Sequence, residues 1–218
     1  MKKIFLVLLL AASVISNAQE DLEVKTVGGH FLSVQVNELV RQILSLGNAN
    51  LPANPYFFNY RYTGVSGDGV SMGFAFTVDN VSNVNEFNDI STDISNFAFR
   101  FGYDKRQNLG KNFVLGLGVD FTVDREKNET VNVDLFNSQE ITTTNTLSGW
   151  GLGPRFNFSY QISERIWVGT EANYYFKSLT NKFEQEFSSN PESNNDSETK
   201  TKRFTFAAPS ILWLSVRL

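Results

Sequence analysis

The chain has 218 residues, no cysteine, one histidine and a formal charge of −4 at pH 7. It can form no disulfide framework, thiolate nucleophile or Cys-ligated metal site, and one histidine cannot build a multi-His metal centre. The acidic balance lacks the basic footprint of a nucleic-acid binder, so no nucleic-acid partner is expected.

Lys2 and Lys3 precede an apolar run from Ile4 to Ala12, and Ser16-Asn17-Ala18 supplies small residues just before a cleavage point. This is the layout of an export signal, and the apolar run is too short for a spanning helix. Residues 1–18 are read as a signal peptide and 19–218 as the mature domain. No later run has the length and apolarity of a transmembrane helix, so a mature chain that enters a membrane would have to cross it as strands.

From about residue 30 the dominant signal is alternation with period two, the signature of a strand with two unlike faces. The first segment, 30–37, sets Leu32, Val34 and Val36 against Ser33, Gln35 and Asn37. Glu38 to Leu46 then reads as a short amphipathic helix. Further strands are predicted at 56–63 and 69–79. Asn96 to Asp104 places Phe97, Phe99, Phe101 and Tyr103 opposite Asn96, Ala98, Arg100, Gly102 and Asp104. Phe113 to Asp124 repeats the pattern, with Leu115, Leu117, Val119 and Phe121 against Gly116, Gly118, Asp120 and Thr122. Trp150 to Ile162, 165–178 and 203–218 complete eight candidate strands.

The predicted connectors alternate in length. Short ones near 63–69, 104–112 and 163–165 carry turn formers such as Gly67-Asp68-Gly69 and Asn108-Leu109-Gly110. Long ones are expected near 38–55, 79–93, 124–146 and 179–202. Of these, 79–93, 124–146 and 181–202 together hold 14 Asp/Glu against 5 Lys/Arg. Short turns at one end and long loops at the other are what a transmembrane barrel shows.

The polar faces are rich in Gly, Ser, Asn and Thr, with charges at Arg61, Arg100, Asp120, Arg155 and Glu171. Small and charged residues together suit a narrow interior filled by a side-chain network, so these five are the candidate interior charged network. Arg100, Asp120, Arg155 and Glu171 alternate in sign on successive strands. Phe, Tyr and Trp gather toward strand ends (Tyr56, Tyr62, Tyr103, Trp150, Tyr160, Tyr174), where interfacial girdles belong. A soluble sheet protein would expose Lys and Glu rather than Gly on its polar face.

At this level the chain resembles the small eight-stranded outer-membrane barrels of OmpA/OmpX type, the outer membrane protein beta-barrel domain group. The resemblance rests on the export signal, the eight alternating strands, the connector pattern and the segment Arg203 to Leu218, with Leu214, Val216 and Leu218 on one face. That last segment is similar to the C-terminal signal read by the barrel-assembly machinery, although it ends in Leu218 rather than an aromatic residue. The expected fold is therefore all-β, a closed antiparallel eight-stranded transmembrane barrel. The resemblance implies a location in the bacterial outer membrane, with membrane lipid and the barrel-assembly machinery as partners. The extracellular ligand is unspecified.

No catalytic, cofactor or metal residues are assigned. Some small barrels are lipid A deacylases, palmitoyltransferases or aspartyl-type proteases, but His30 would have to carry such chemistry and has no nucleophile partner in sight. Gly116-x-Gly118 and Gly151-x-Gly153 are followed by no helix, so small interior residues explain them better than a nucleotide loop. The function expected is an integral outer-membrane barrel with a structural or surface-interaction role, acidic extracellular loops and a filled interior. The alternative is a narrow pore for ions or small solutes.

Overall fold

The computed structural model describes residues 28–36, 58–84, 88–110, 112–134 and 139–218. The expected signal peptide at 1–18, the helix at Glu38–Leu46 and Tyr56 lie outside the described residues. Eight antiparallel strands follow one another around a closed ring. They are β1 (Gly29–Gln35), β2 (Phe58–Thr63), β3 (Asp68–Val84), β4 (Asn88–Asn108), β5 (Phe113–Asp134), β6 (Gln139–Gln161), β7 (Ile166–Phe187) and β8 (Asn195–Arg217). The ring closes where β8 returns to β1, with Leu32 opposite Val216 and Val34 opposite Leu214.

Closure requires a stagger between the strands. A path stepping across the sheet from Val216 passes through Leu32, Tyr60, Met72, Phe101, Phe121, Leu152 and Phe176. It meets β8 again at Phe204, twelve residues from where it began. Part of that offset comes from an irregularity in which β7 advances from Glu171 to Asn173 while β8 covers Ile211 to Ala207. Pro209, which has no N–H to give to a ladder, lies inside it. The residues on this path are apolar apart from the Tyr60 hydroxyl, because alternation sends this parity outward on each strand in turn.

The two faces are chemically opposite, and they are inverted relative to a water-soluble core. Phe74, Phe97, Phe101, Val119, Phe121, Trp150, Leu152, Phe156 and Phe158 are exposed on the outside, while Arg61, Arg100, Asp104, Arg106, Asp120, Arg155 and Glu171 are buried inside. At one end the strands are joined by short connections. Gly67 supplies a positive φ of 86° to the β2–β3 turn, a conformation that glycine adopts without steric cost. Gly67 N–H donates to the Gly64 carbonyl there, and Gly64 N–H to that of Asp68.

The far end departs from expectation. The segments read as long loops at 79–93, 124–146 and 179–202 are mostly strand. β3 and β4 stay paired to Val84 opposite Asp89, β5 and β6 to Asp134 opposite Gln139, and β7 and β8 to Gln185 opposite Asn195. The actual connections span only 85–87, 135–138 and 188–194, the last with one turn of 3-10 helix at Pro191–Ser193. Parts of these segments, such as Thr142 to Thr146, are polar on both parities, and the apolar residues elsewhere in them are sparse, so hydropathy loses them. Their Thr and Val content still favours an extended backbone, as in Thr142-Thr143-Thr144 and Val131-Asn132-Val133.

Among the described residues, β3 to β8 rise in this way and β1 and β2 do not. The last β2–β3 pair is Phe58 opposite Phe74, and the last β1–β8 pair is Gln35 opposite Trp213. Above them six strands continue as a curved sheet. Among the described residues, no strand pairs with the outer edges of β3 and β8 there.

Candidate functional site: the charged interior

The interior is layered. Nearest the short turns, Phe31 of β1, Val114 of β5 and Trp167 of β7 form an apolar cluster, with Phe31 and Trp167 ring centroids 6.2 Å apart, edge to face. The Arg106 guanidinium stacks against it, 5.7 Å from the Phe31 ring and 5.9 Å from that of Trp167. Its Nη2 donates to Ser159 Oγ (3.1 Å), and Ser159 donates in turn to Asn157 Oδ1 (2.7 Å). Cation–π contacts of this kind are worth more when desolvated, as here.

Above that plug lies the ionic layer. Arg61 of β2 meets Asp104 of β4 (Nε–Oδ2 3.5 Å), and Arg155 of β6 reaches both Asp104 (Nη2–Oδ2 4.0 Å) and Asp120 of β5 (Nε–Oδ2 3.4 Å). Arg155 Nη2 also donates to Ser71 Oγ (3.0 Å). Arg100 of β4 crosses the lumen to donate to Glu171 Oε1 of β7 (2.6 Å) and lies 3.8 Å from Asp120 Oδ2. Tyr175 donates its hydroxyl to the same oxygen at 2.7 Å. Trp213 lies beneath the Arg100 guanidinium at 5.9 Å. Nearer the far end Lys177 Nζ donates to Asp124 Oδ2 (2.5 Å). A cavity of about 170 Å³ opens there beside Ala75, Ala98, Asp124 and Leu147.

All five residues singled out by parity, Arg61, Arg100, Asp120, Arg155 and Glu171, lie in this layer. The pairing runs across the lumen as well as along neighbouring strands: Arg100 of β4 with Glu171 of β7, and Arg61 of β2 with Asp104 of β4. Closure decides those partners, and linear sequence does not contain them. Buried ions are tolerated only when paired and hydrogen-bonded, which accounts for the density of the network.

Sequence reasoning missed Asp104, Arg106, Tyr175 and Ser71. Asp104 shares the polar parity of β4 with Arg100, but the alternation of sign on successive strands does not single it out. Arg106 fell inside a predicted turn at 104–112, whereas β4 runs on to Asn108. The available signal was parity itself, since 100, 102, 104 and 106 continue one face. Trp150 and Tyr174, expected near strand ends, lie mid-strand, at the level where the outward face turns polar.

The glycines complete the geometry. Asp104 is flanked by Gly69 and Gly118 on its two neighbouring strands, and Asp120 by Gly102 and Gly153. A Cβ at Gly118 would stand 2.7 Å from Asp104 Cβ, and one at Gly102 would collide with the Asp120 carboxylate. Glycine beside each buried aspartate leaves the arginines room to reach the carboxylate.

His30 sits on the outer surface at the short-turn end. Its Nδ1 bonds the Tyr60 hydroxyl at 2.6 Å and its ring lies 5.0 Å from that of Tyr62, so its partners are outward-facing tyrosines.

No protein-family model matches this chain, and no curated protein matches it. Among solved structures it is similar to the crystal structure of Acinetobacter baumannii CarO, at 7% identity and a TM-score of 0.39, over 91% of this chain and 99% of that one. At that score the likeness says nothing about activity.

Proposed function

We propose that the chain is an integral outer-membrane barrel whose work is structural and presentational: the ring anchors in lipid and carries three tall β-hairpins outward. The observation that carries this reading is a change of surface chemistry at one level. Outward residues on β6 run Tyr160, Phe158, Phe156, Pro154, Leu152, Trp150 and then Ser148, Thr146, Thr144. On β5 they run from Phe113 to Val123 and then become Arg125 and Lys127, and on β7 from Ile166 to Phe176 and then Ser178 and Thr180. Tyr160 to Trp150 is ten residues, or about 33 Å of strand at ~3.3 Å per residue. A tilt of about 40° turns this into an apolar band about 25 Å tall, the height of a bilayer core.

The short turns and both ends of the described chain would then face the periplasm, and the hairpins the outside. The export signal and the outward-facing Leu214, Val216 and Leu218 support delivery through the barrel-assembly machinery. The pore reading is disfavoured by the plug of Phe31, Val114, Trp167 and Arg106 and by the ionic layer above it. The placement of His30 against tyrosines supports a non-catalytic barrel.

Heat-modifiability of the protein in the outer-membrane fraction tests barrel and location together. Migration as a compact species before boiling and an expanded one after it is expected. Recovery in the soluble periplasmic fraction would overturn the reading. In planar bilayers the filled interior should give no sustained single-channel conductance, and a steady channel would favour the pore instead.

A further inference from the structure

The surface above the apolar band is not uniformly acidic. Moving outward on β7, the lysine comes before the carboxylates: Lys182, then Glu184 and Glu186. On β8 the order is Lys202, Lys200, Glu198, Asp196. The β7–β8 register sets Phe176 opposite Phe204, Ser178 opposite Lys202, Thr180 opposite Lys200 and Lys182 opposite Glu198. Lys200 and Lys202 are therefore about 7 Å apart on one face, and Lys182 is the diagonal neighbour of Lys200 at about 7–8 Å. Glu198 offsets part of this charge, through its 3.0 Å contact with Lys200 and as the cross-strand partner of Lys182, and Glu184 stands two residues beyond Lys182 on the same face, about 7 Å away.

Directly below is an aromatic patch. Tyr174 and Phe204 stack at 5.6 Å with rings 9° from parallel, and Phe176 lies 5.4 Å from Phe204 and 6.0 Å from Trp150. Phe204 and Phe206 are 65% and 68% exposed, as is Phe76 of the other edge strand β3 at 65%, against 45% to 49% for Phe97, Phe101, Trp150 and Leu152. Lys182 is set opposite Glu198, Lys200 opposite Thr180 and Lys202 opposite Ser178, so the surplus positive charge is gathered at the level of Ser178 and Thr180, next to the aromatic patch.

We propose that Lys182, Lys200 and Lys202 bind the phosphate of an outer-leaflet lipid whose acyl chains lie against the Phe176–Phe204 patch. The Ser178 and Thr180 hydroxyls stand between the lysines as further donors. This rests on the membrane reading above and names the headgroup chemistry that reading leaves open. Two observations select a lipid over a soluble polyanion. The cations are continuous with an apolar patch that a soluble anion would not use. Glu184, Glu186 and Asp196 stand between the lysines and bulk water, so a polyanion approaching from outside is repelled while a phosphate arriving in the membrane plane is not.

The test is electron paramagnetic resonance of the full mature chain in phosphatidylcholine vesicles, with trace spin-labelled phosphatidic acid or phosphatidylcholine. The motionally restricted fraction of each label reports the lipid in contact with the barrel. Phosphatidic acid is expected to be selected over phosphatidylcholine by roughly fivefold at low salt. The K182Q/K200Q/K202Q variant should lose that selection and the triple Lys→Arg variant keep it, each variant being checked for folding by heat-modifiability. Equal restriction of the two lipids by the wild-type protein, or unchanged selection by the Gln variant, would overturn the proposal. So would removal of the selection by R125Q/K127Q alone, or by millimolar inorganic phosphate, which would mark a free-anion site. If neither label shows a restricted fraction, the membrane reading fails and takes this proposal with it. A restricted fraction without selectivity sinks the proposal alone.

Discussion

Asp120 on β5 stands directly across from Gly102 on β4, and its carboxylate occupies the volume that a side chain at Gly102 would take. From that position Oδ2 accepts the Tyr175 hydroxyl and lies within ion-pair reach of both Arg100 and Arg155. The glycine is a condition of the ion network, in the same way that Gly69 and Gly118 are for Asp104.

Gly102→Ala should therefore destabilise the barrel by about 1–3 kcal/mol, the usual result of overpacking a filled interior. Gly110 has nothing within 4 Å of an added Cβ, and Gly110→Ala should stay within about 0.5 kcal/mol of wild type. Urea unfolding in lipid vesicles, followed by tryptophan fluorescence, measures both. Equal effects of the two would mean that the aspartate does not need that space.

Asp120→Ala leaves two arginines and a buried tyrosine hydroxyl short of their acceptor. Breaking a buried pair from one side costs about 3–5 kcal/mol. Replacing Arg100 and Glu171 together with Met and Leu should cost less than replacing either alone, because the pair removes its own unmet charge. Additive losses from the two single replacements would argue that Arg100 and Glu171 act independently despite their 2.6 Å hydrogen bond.

Leu117 lies on the outward parity of β5, between Phe113 and Val123. If β5 crosses the bilayer as proposed and Leu117 faces its midplane, Leu117→Arg should cost about 2–4 kcal/mol. A soluble protein would suffer from that change too, so labelling separates the cases. In liposomes Leu117→Cys should resist a small polar thiol reagent and react with a lipid-soluble probe. Ready labelling from water would place β5 outside the membrane.

In the extensions, Lys200 donates to Glu198 and, with Lys182 nearby, holds its carboxyl below the usual carboxylate value. A lowered value means that the interaction is present above the ordinary carboxylate range and fades as pH falls through the lowered one. Lys200→Gln should bring the Glu198 titration back up, as read by carboxyl-carbon NMR. The pair is too exposed for its loss to move overall stability. A titration unchanged by Lys200→Gln would mean that the two side chains do not associate in solution.

Strand identity and facing were legible from residues alone, because period two is a local property. Leu117 and Gly118 must point to opposite faces whatever the rest of the chain does, and Arg100, Asp120, Arg155 and Glu171 share the inner parity for the same reason. Local order also marked the short turns, since Gly67 answers a backbone demand confined to four residues.

The tertiary structure decided what depends on closure. Arg100 finds Glu171 three strands away, and Asp104 serves Arg61 and Arg155 from opposite sides, because a ring with a twelve-residue stagger brings those positions across one narrow lumen. The tall hairpins were invisible to hydropathy for a related reason. Thr142 to Thr146 is polar on both parities, so only its cross-strand partners show that the backbone there continues as sheet. The stratification of Lys182, Lys200 and Lys202 below Glu184 and Asp196 has the same origin: β7 and β8 run in opposite directions, and register alone sets their charges at one height.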